Sequence, residues 1–180
     1  MSNFFLYYYR SLFLSLCSIE TANLIRIAKL IVSTRKKNNK IILLGNGASA
    51  AIASHVSVDL TKTANIRSIN FNEADLITCL SNDFGYQNWM SKAIEYYGDS
   101  GDIIILVSSS GKSKNVVNAA KLAKIKKLKI ITLTGFSKNN PLKKLGNINL
   151  WLDCKSYNLV ETTHQTWLLS IIDYIIKNKL

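Results

Sequence analysis

The sequence has few of the residues that stabilise small secreted or metal-bound domains. Its three cysteines, Cys17, Cys79 and Cys154, are an odd number without the Cys-x-x-Cys spacing of a structural zinc site. We therefore expect no disulfide framework, and this cysteine content fits a reducing cytoplasm. There is one proline, and no internal repeat or low-complexity linker divides the sequence. A single domain over residues 1–180 is predicted, because 180 residues can bury a sizeable core.

Acidic residues and long apolar runs are also scarce. Eleven Asp and Glu stand against 23 Lys and Arg, which gives a net charge of +12. The basic residues are scattered in short clusters, so we expect attraction of phosphorylated small molecules rather than of nucleic acid. The apolar start of the sequence is interrupted by Arg10 and is too short to span a bilayer. The prediction is a soluble cytoplasmic protein without a membrane partner.

Short apolar runs alternate with amphipathic segments along the sequence. Strands are predicted over residues 40–44, 67–71, 103–107, 129–133 and 147–152. Helices are predicted between them, a turn over 82–86, and a long closing helix over 158–177. The last strand alternates like an edge strand. This order indicates an α/β fold, a doubly wound parallel sheet with helices on both faces, for which we assign residues 39–180 as the core.

The N-terminal segment, residues 1–38, is predicted to form one or two helices with a broad apolar stripe. It begins with five aromatic residues: Phe4, Phe5, Tyr7, Tyr8 and Tyr9. A single helix packed on one core does not bury so much aromatic surface. The alternatives are a core contact and a subunit interface, and we favour the interface.

A hydroxyl-rich loop, residues 108–113 (SSSGKS), lies between a predicted strand and a predicted helix. Serine hydroxyls, free N–H groups and about half a positive charge at the helix start together favour bound phosphate. The alternative is an ordinary serine-rich helix cap. A second tight loop, residues 45–49 (GNGAS), follows the first strand. Both loops should lie beyond the carboxyl ends of the strands, where sheets of this type bind ligands.

These two loops, together with residues 82–85 (NDFG) and 131–135 (ITLTG), resemble the sugar isomerase (SIS) domain family, in particular its phosphoheptose isomerase branch. Their order and spacing agree along nearly the whole sequence. The resemblance implies a flavodoxin-like five-stranded sheet, a homotetramer with active sites between subunits, and a sugar phosphate as the small-molecule partner. The substrate- and phosphate-binding positions that it implies are Asn46, Gly47, Ser49, Asp83, Ser108, Ser109, Ser110 and Ser113.

The resemblance also implies catalytic positions, and this sequence departs from the family at some of them. The isomerases carry a His and, four residues later, a catalytic Glu, where this sequence has His55 and Asp59. Their closing helix carries a Gln and, eight residues later, a catalytic His; the matching positions here are Glu161 and Leu169. Leucine neither transfers protons nor binds metals. His164 either takes over the acid/base role or is a packed helix residue.

Aldose–ketose isomerisation requires one group that removes a proton beside the carbonyl and another that moves protons on the oxygens. The candidates are Asp59, Glu161, His55 and His164. His55, Asp59 and Glu161 could also hold zinc or a harder divalent ion, so a metal cofactor is left open.

We predict an aldose–ketose isomerase that acts on sedoheptulose 7-phosphate, or a related sugar phosphate, through an enediol. Its pathway would be the synthesis of heptose for lipopolysaccharide or capsule. The alternative is a catalytically silent SIS protein that binds a phosphosugar or a protein partner as a regulator.

Overall fold

The computed structural model describes residues 3–180, apart from the side chain of Lys36, as a parallel sheet between layers of helices. In chain order the elements are α1 (Asn3–Cys17), α2 (Thr21–Lys36), β1 (Ile41–Leu44), α3 (Ala48–Lys62), β2 (Ser68–Asn70), α4 (Ala74–Phe84), α5 (Trp89–Tyr97), β3 (Ile103–Ser108), α6 (Lys114–Ile125), β4 (Lys129–Thr134), a 3-10 turn (Lys143–Leu145), β5 (Ile148–Trp151) and α7 (Tyr157–Lys177).

The five strands lie in the order β2-β1-β3-β4-β5, and every neighbouring pair is parallel. The predicted doubly wound sheet is therefore confirmed, with β5 at an edge as its alternating pattern indicated. The chain order reverses between β1 and β3, and sheets of this order bind ligands at that switch point. The loops that follow β1 and β3 thus meet at one place on the carboxyl edge.

Two apolar cores lie on the two faces of the sheet. Alternate residues of β3 point to opposite faces, since successive side chains of a strand do so. Ile103, Ile105 and Val107 face a core shared with α2, α3 and α7. Ile104 and Leu106 face a core built from α4, α5 and α6. Every one of these five side chains is almost completely buried, which stabilises the fold by about 1.5–3 kcal/mol per side chain.

The predicted turn over residues 82–86 is partly wrong, because Asn82, Asp83 and Phe84 form the end of α4. The helix ends instead at Gly85, whose φ of +80° suits the residue after a helix end. An Asn-Asp pair favours turns, but here it belongs to the last helical turn, because the apolar spacing of α4 continues to Leu80 and Phe84.

The N-terminal segment forms two helices, and α1 carries no buried residue. Its large apolar side chains are more than half exposed: Phe4, Phe5, Leu6, Tyr7, Tyr9, Phe13 and Leu14. A bond from the Trp167 indole N–H to the Leu16 carbonyl (3.0 Å) ties its end to α7. Within residues 3–180, no single helix is long and apolar enough to cross a membrane; α1 and α2 meet that requirement only as a pair bent by 63°.

Candidate functional site

The loops after β1 and β3 enclose a cavity of about 160 Å³ at the switch point, which we call the serine cavity. The closing helix α7 supplies its third side. The cavity is lined by Asn46, Ser49, Val107, Ser108, Ser109, Ser110, Ser113, Tyr157 and Glu161. The structure therefore brings together all four serines of the hydroxyl-rich loop, two residues of the GNGAS loop and one of the candidate acids. Gly47, the third substrate position in the GNGAS loop, begins α3 with a φ of +55°.

The shape of the serine loop depends on Gly111. Its φ of +63° lies in the left-handed region, and a Cβ at this position would collide with the side chain of Asn140. The Gly111 N–H donates to the Ser108 carbonyl (3.0 Å), and the Gly111 carbonyl accepts from the Leu142 N–H (3.1 Å). These backbone bonds hold the loop together with the Lys112 N–H, which donates to the Ser110 hydroxyl (3.2 Å), and all four of its serines line the cavity.

Ser113 occupies the cap position of α6, but its hydroxyl accepts no hydrogen bond from the helix. Instead it lies 3.5 Å from the hydroxyl of the buried Ser108. An ordinary serine cap would accept from an N–H of the first helical turn. The Ser113 hydroxyl is therefore not used as a cap and borders the serine cavity together with Ser108, and phosphate binding at this loop stays a prediction.

Glu161 connects the serine cavity to a second cavity of about 580 Å³, which we call the α3–α7 cavity. The Ser109 hydroxyl donates to Glu161 Oε1 over 3.4 Å. The second cavity is lined by Tyr8, Ala48, Ala51, Ile52, His55, Asn158, Glu161, Thr162 and Gln165. One carboxylate thus borders both the hydroxyl-rich cavity and the larger one that contains His55.

His55 and Asp59 share a face of α3, as their spacing predicted. His55 Nε2 lies 3.4 Å from Asp59 Oδ2, and their side chains are 48% and 34% exposed. Asp59 lies one helical turn beyond His55 on α3 and is not among the residues that line the cavity. The other ring nitrogen of His55, Nδ1, lies 3.1 Å from the amide nitrogen of Gln165 on α7. The sequence did not point to Gln165, because this contact joins residues 110 positions apart.

His164 lies in the interior and lines neither cavity, so the packed alternative describes its surroundings. It is completely buried, its ring centroid is 6.0 Å from that of Trp167, and Nε2 lies 3.2 Å from the Thr134 carbonyl. Burial lowers the pKa of His164 to about 4, against the opposing effect of that backbone hydrogen bond. Within the described part of the chain, Nδ1 has no hydrogen-bond partner. The ring is therefore neutral at physiological pH.

Two further positions lie apart from the serine cavity. Asp83 is exposed near the end of α4, where its carboxylate accepts from the Asn82 amide (3.0 Å). Its role as a substrate contact stays a prediction. Leu169, at the position of the family's catalytic His, is half-buried and packs against the core shared by α2, α3 and α7.

Two asparagine side chains connect the loop after β1 to the start of α6. The second of them, Asn115, was not among the predicted site residues. Asn46 and Asn115 exchange two side-chain hydrogen bonds of 2.9 Å each, and the Tyr86 hydroxyl donates to Asn46 Oδ1 (3.1 Å). Asn115 is almost fully buried and lies at the start of α6, two residues after the serine loop. Its closeness in the sequence to the serine loop was the available signal.

The predicted metal ligands do not form a metal site within this chain. Among the side chains described, no three or more His, Cys, Asp and Glu lie close enough together to hold an ion. Both ring nitrogens of His55 already face a polar partner, and Glu161 is engaged by Ser109. The residues present therefore do not fit zinc, and the reaction proposed for this chain uses no metal.

Comparison with known proteins agrees with this architecture. A family model described as the SIS domain matches residues 5–135. The phosphoheptose isomerase of Buchnera aphidicola subsp. Acyrthosiphon pisum is 36% identical over 144 residues, which cover 77% of this chain and 74% of the relative.

Solved structures share the fold. A phosphoheptose isomerase from Francisella tularensis superposes with a TM-score of 0.87, at 24% identity and 95% coverage of both chains. One from Neisseria gonorrhoeae gives a TM-score of 0.85, at 24% identity and 94% coverage of both. From the matched family model and the curated relative, together with the switch-point cavity, the chain belongs to the SIS domain family.

Proposed function

We propose that the protein is a phosphosugar isomerase of the phosphoheptose isomerase type. It would interconvert sedoheptulose 7-phosphate, or a related ketose phosphate, and the corresponding aldose phosphate through an enediol. The observation that carries the proposal is the position of Glu161, which borders both the serine cavity and the larger cavity containing His55. The name of the curated relative at 36% identity supplies the substrate class.

The serine cavity suits the phosphate end of such a substrate. Hydroxyls of the serine loop and the N–H groups at the start of α6 can donate to phosphate oxygens, and the helix dipole favours the anion. A volume of about 160 Å³ accommodates a phosphate group but not a seven-carbon sugar as well. The carbon chain would therefore extend past Glu161 into the α3–α7 cavity of about 580 Å³.

The chemistry would take place along the line from Glu161 to His55 and Asp59. A carboxylate removes a proton from C1 of the ketose while the C2 carbonyl oxygen gains one, which gives the enediol. Return of a proton to C2, with loss of the proton on O1, gives the aldose. Asp59 and Glu161 are the two carboxylates that can serve as base, and His55 can move protons on the oxygens.

We further propose a homotetramer in the cytoplasm, in which another copy of the chain covers α1, acting in the synthesis of heptose for surface polysaccharide. Seven large apolar side chains stand exposed on α1, a density that marks contact surfaces. Tyr8 on the same helix lines the α3–α7 cavity, so the subunit interface and the site would be neighbours.

The test mixes the purified protein with sedoheptulose 7-phosphate and follows the sugar products by NMR. We expect an aldoheptose phosphate to form, and Asp59→Asn or Glu161→Gln to lower the rate by at least about a hundredfold if that residue is the base. Asp153→Asn, an exposed aspartate before α7, is the matched control and should keep full activity. Saturable binding without any product would reject the isomerase.

That last outcome would favour a second candidate function, a silent SIS protein that binds a phosphosugar or a protein partner as a regulator. The specific observation in its favour is Leu169, which packs against the core where the isomerases carry a catalytic His. Calorimetry combined with the NMR assay distinguishes the two, since a silent protein binds the sugar phosphate in calorimetry and leaves its NMR spectrum unchanged.

A further inference from the structure

The contact between Gln165 and His55 joins the two helices that border the α3–α7 cavity. Gln165 is half-buried on α7, and its amide nitrogen lies 3.1 Å from Nδ1 of the exposed His55 on α3. The opposite ring nitrogen, Nε2, lies 3.4 Å from Asp59 Oδ2. The three side chains thus form a row that starts on α7 and ends at a candidate base.

The chemistry of the two partners decides which ring nitrogen of neutral His55 carries the proton. An ionised carboxylate accepts hydrogen bonds and donates none, so Nε2 faces Asp59 favourably only when it bears the proton. Nδ1 is then an acceptor, and the NH₂ group of Gln165 is the donor that it requires. The amide of Gln165 can supply this donor at every working pH, because it does not titrate.

We propose that Gln165 is a positioning residue, which holds neutral His55 in the tautomer with its proton on Nε2, directed at Asp59. The carboxylate is thereby oriented through the imidazole, and Nδ1 is occupied by an amide. This inference rests on the proposed isomerase for its catalytic consequence, but the tautomer itself is a property of the free protein.

The test is a ¹⁵N NMR spectrum of the imidazole rings in the untagged protein, recorded about two pH units above the ordinary histidine pKa of about 6.5. The sequence contains two histidines, so two ring patterns appear, and His55→Asn assigns one by removing it. We expect the His55 pattern to show the proton on Nε2. A proton on Nδ1 in the unaltered protein would overturn the proposal.

Two variants at position 165 reverse or remove the partner. Gln165→Glu places an acceptor opposite Nδ1 and should move a proton onto that nitrogen, whereas Gln165→Met should leave a mixture of both tautomers. Thr166→Met is the matched control, because Thr166 is exposed and its hydroxyl bonds the helix backbone at Thr162. An unchanged His55 pattern in Gln165→Glu would also overturn the proposal.

Kinetics separate this positioning role from a merely structural one. In both position-165 variants kcat should fall by up to about a hundredfold, as misplacement of a catalytic group does, while KM changes little. If the protein is active but lacks the expected tautomer, the role of Gln165 is rejected and the isomerase is retained. The expected tautomer in a protein without turnover would instead reject the isomerase and support the row formed by Gln165, His55 and Asp59.

Discussion

Lowering the pH should destabilise this protein through His164, whose neutral ring is buried against Trp167 and the Thr134 carbonyl. The pKa of His164 is lowered to about 4 in the folded state, chiefly by burial, from an ordinary value of 6.5. Below about pH 6.5 the unfolded chain therefore binds more protons at this residue than the folded chain does. The stability that depends on neutral His164 is complete above that pH and is lost as the pH falls towards about 4.

The size of the effect follows from the two pKa values. Between about pH 7.5 and about pH 5 the free energy of unfolding should fall by about 2 kcal/mol, and the complete loss should approach about 3 kcal/mol. The hydrogen bond with Lys40 lowers the pKa of Asp99 from its ordinary value of 3.8. This carboxylate therefore changes the free energy of unfolding mainly below pH 3.8, outside the interval measured. The measurement is urea unfolding followed by circular dichroism at both pH values and one protein concentration.

His164→Gln should remove this part of the pH dependence, whatever it does to stability at neutral pH, because its amide stays neutral throughout. His55→Gln makes the same substitution at the exposed histidine and should keep the loss between the two pH values, because His164 is unaltered in this variant. If His164→Gln still loses about 2 kcal/mol over this interval, the buried-histidine reasoning is refuted.

Two further predictions concern the phosphate loop and the helix α1. Ser110→Ala and Ser113→Ala should each weaken binding of the sugar phosphate by roughly tenfold in calorimetric titration, the value of one hydrogen bond to a charged group, with exposed Ser100→Ala as the control. Unchanged affinity in both variants would contradict the phosphate assignment. Phe5→Asp combined with Phe13→Asp should reduce the sedimenting mass, because charge on α1 cannot be buried between subunits. Ile125→Asp, at an exposed position of α6, should not reduce it, and an intact assembly in the α1 variant would remove the argument for that interface.

The three central strands, β1, β3 and β4, were predictable from the sequence because each is a largely apolar run buried on both faces. Residues 103–107 are the clearest example, since every side chain from Ile103 to Val107 is almost completely buried. The end of α4 was not predictable in the same way, because Asn82 and Asp83 also suit a turn. In the structure the helix continues to Phe84 and is followed by Gly85.

Part of the candidate site was likewise predictable from the sequence, and part of it was not. The serine loop and the GNGAS loop are local features, and the topology brings them together at the switch point as expected. The partners of Glu161 and His55 depend on how α7 packs beside α3 and β3, which no local pattern encodes. Ser109 and Gln165 are therefore contacts that the structure alone reveals.

The position of Tyr8 has a consequence for how the protein behaves at low concentration. This residue helps to line the α3–α7 cavity from a helix with no buried residue of its own, so in the proposed tetramer neighbouring subunits would hold it in place. Dissociation would then remove part of the cavity wall before any strand of the sheet separates. Turnover per chain should consequently decline on dilution while the circular dichroism spectrum stays that of the folded protein.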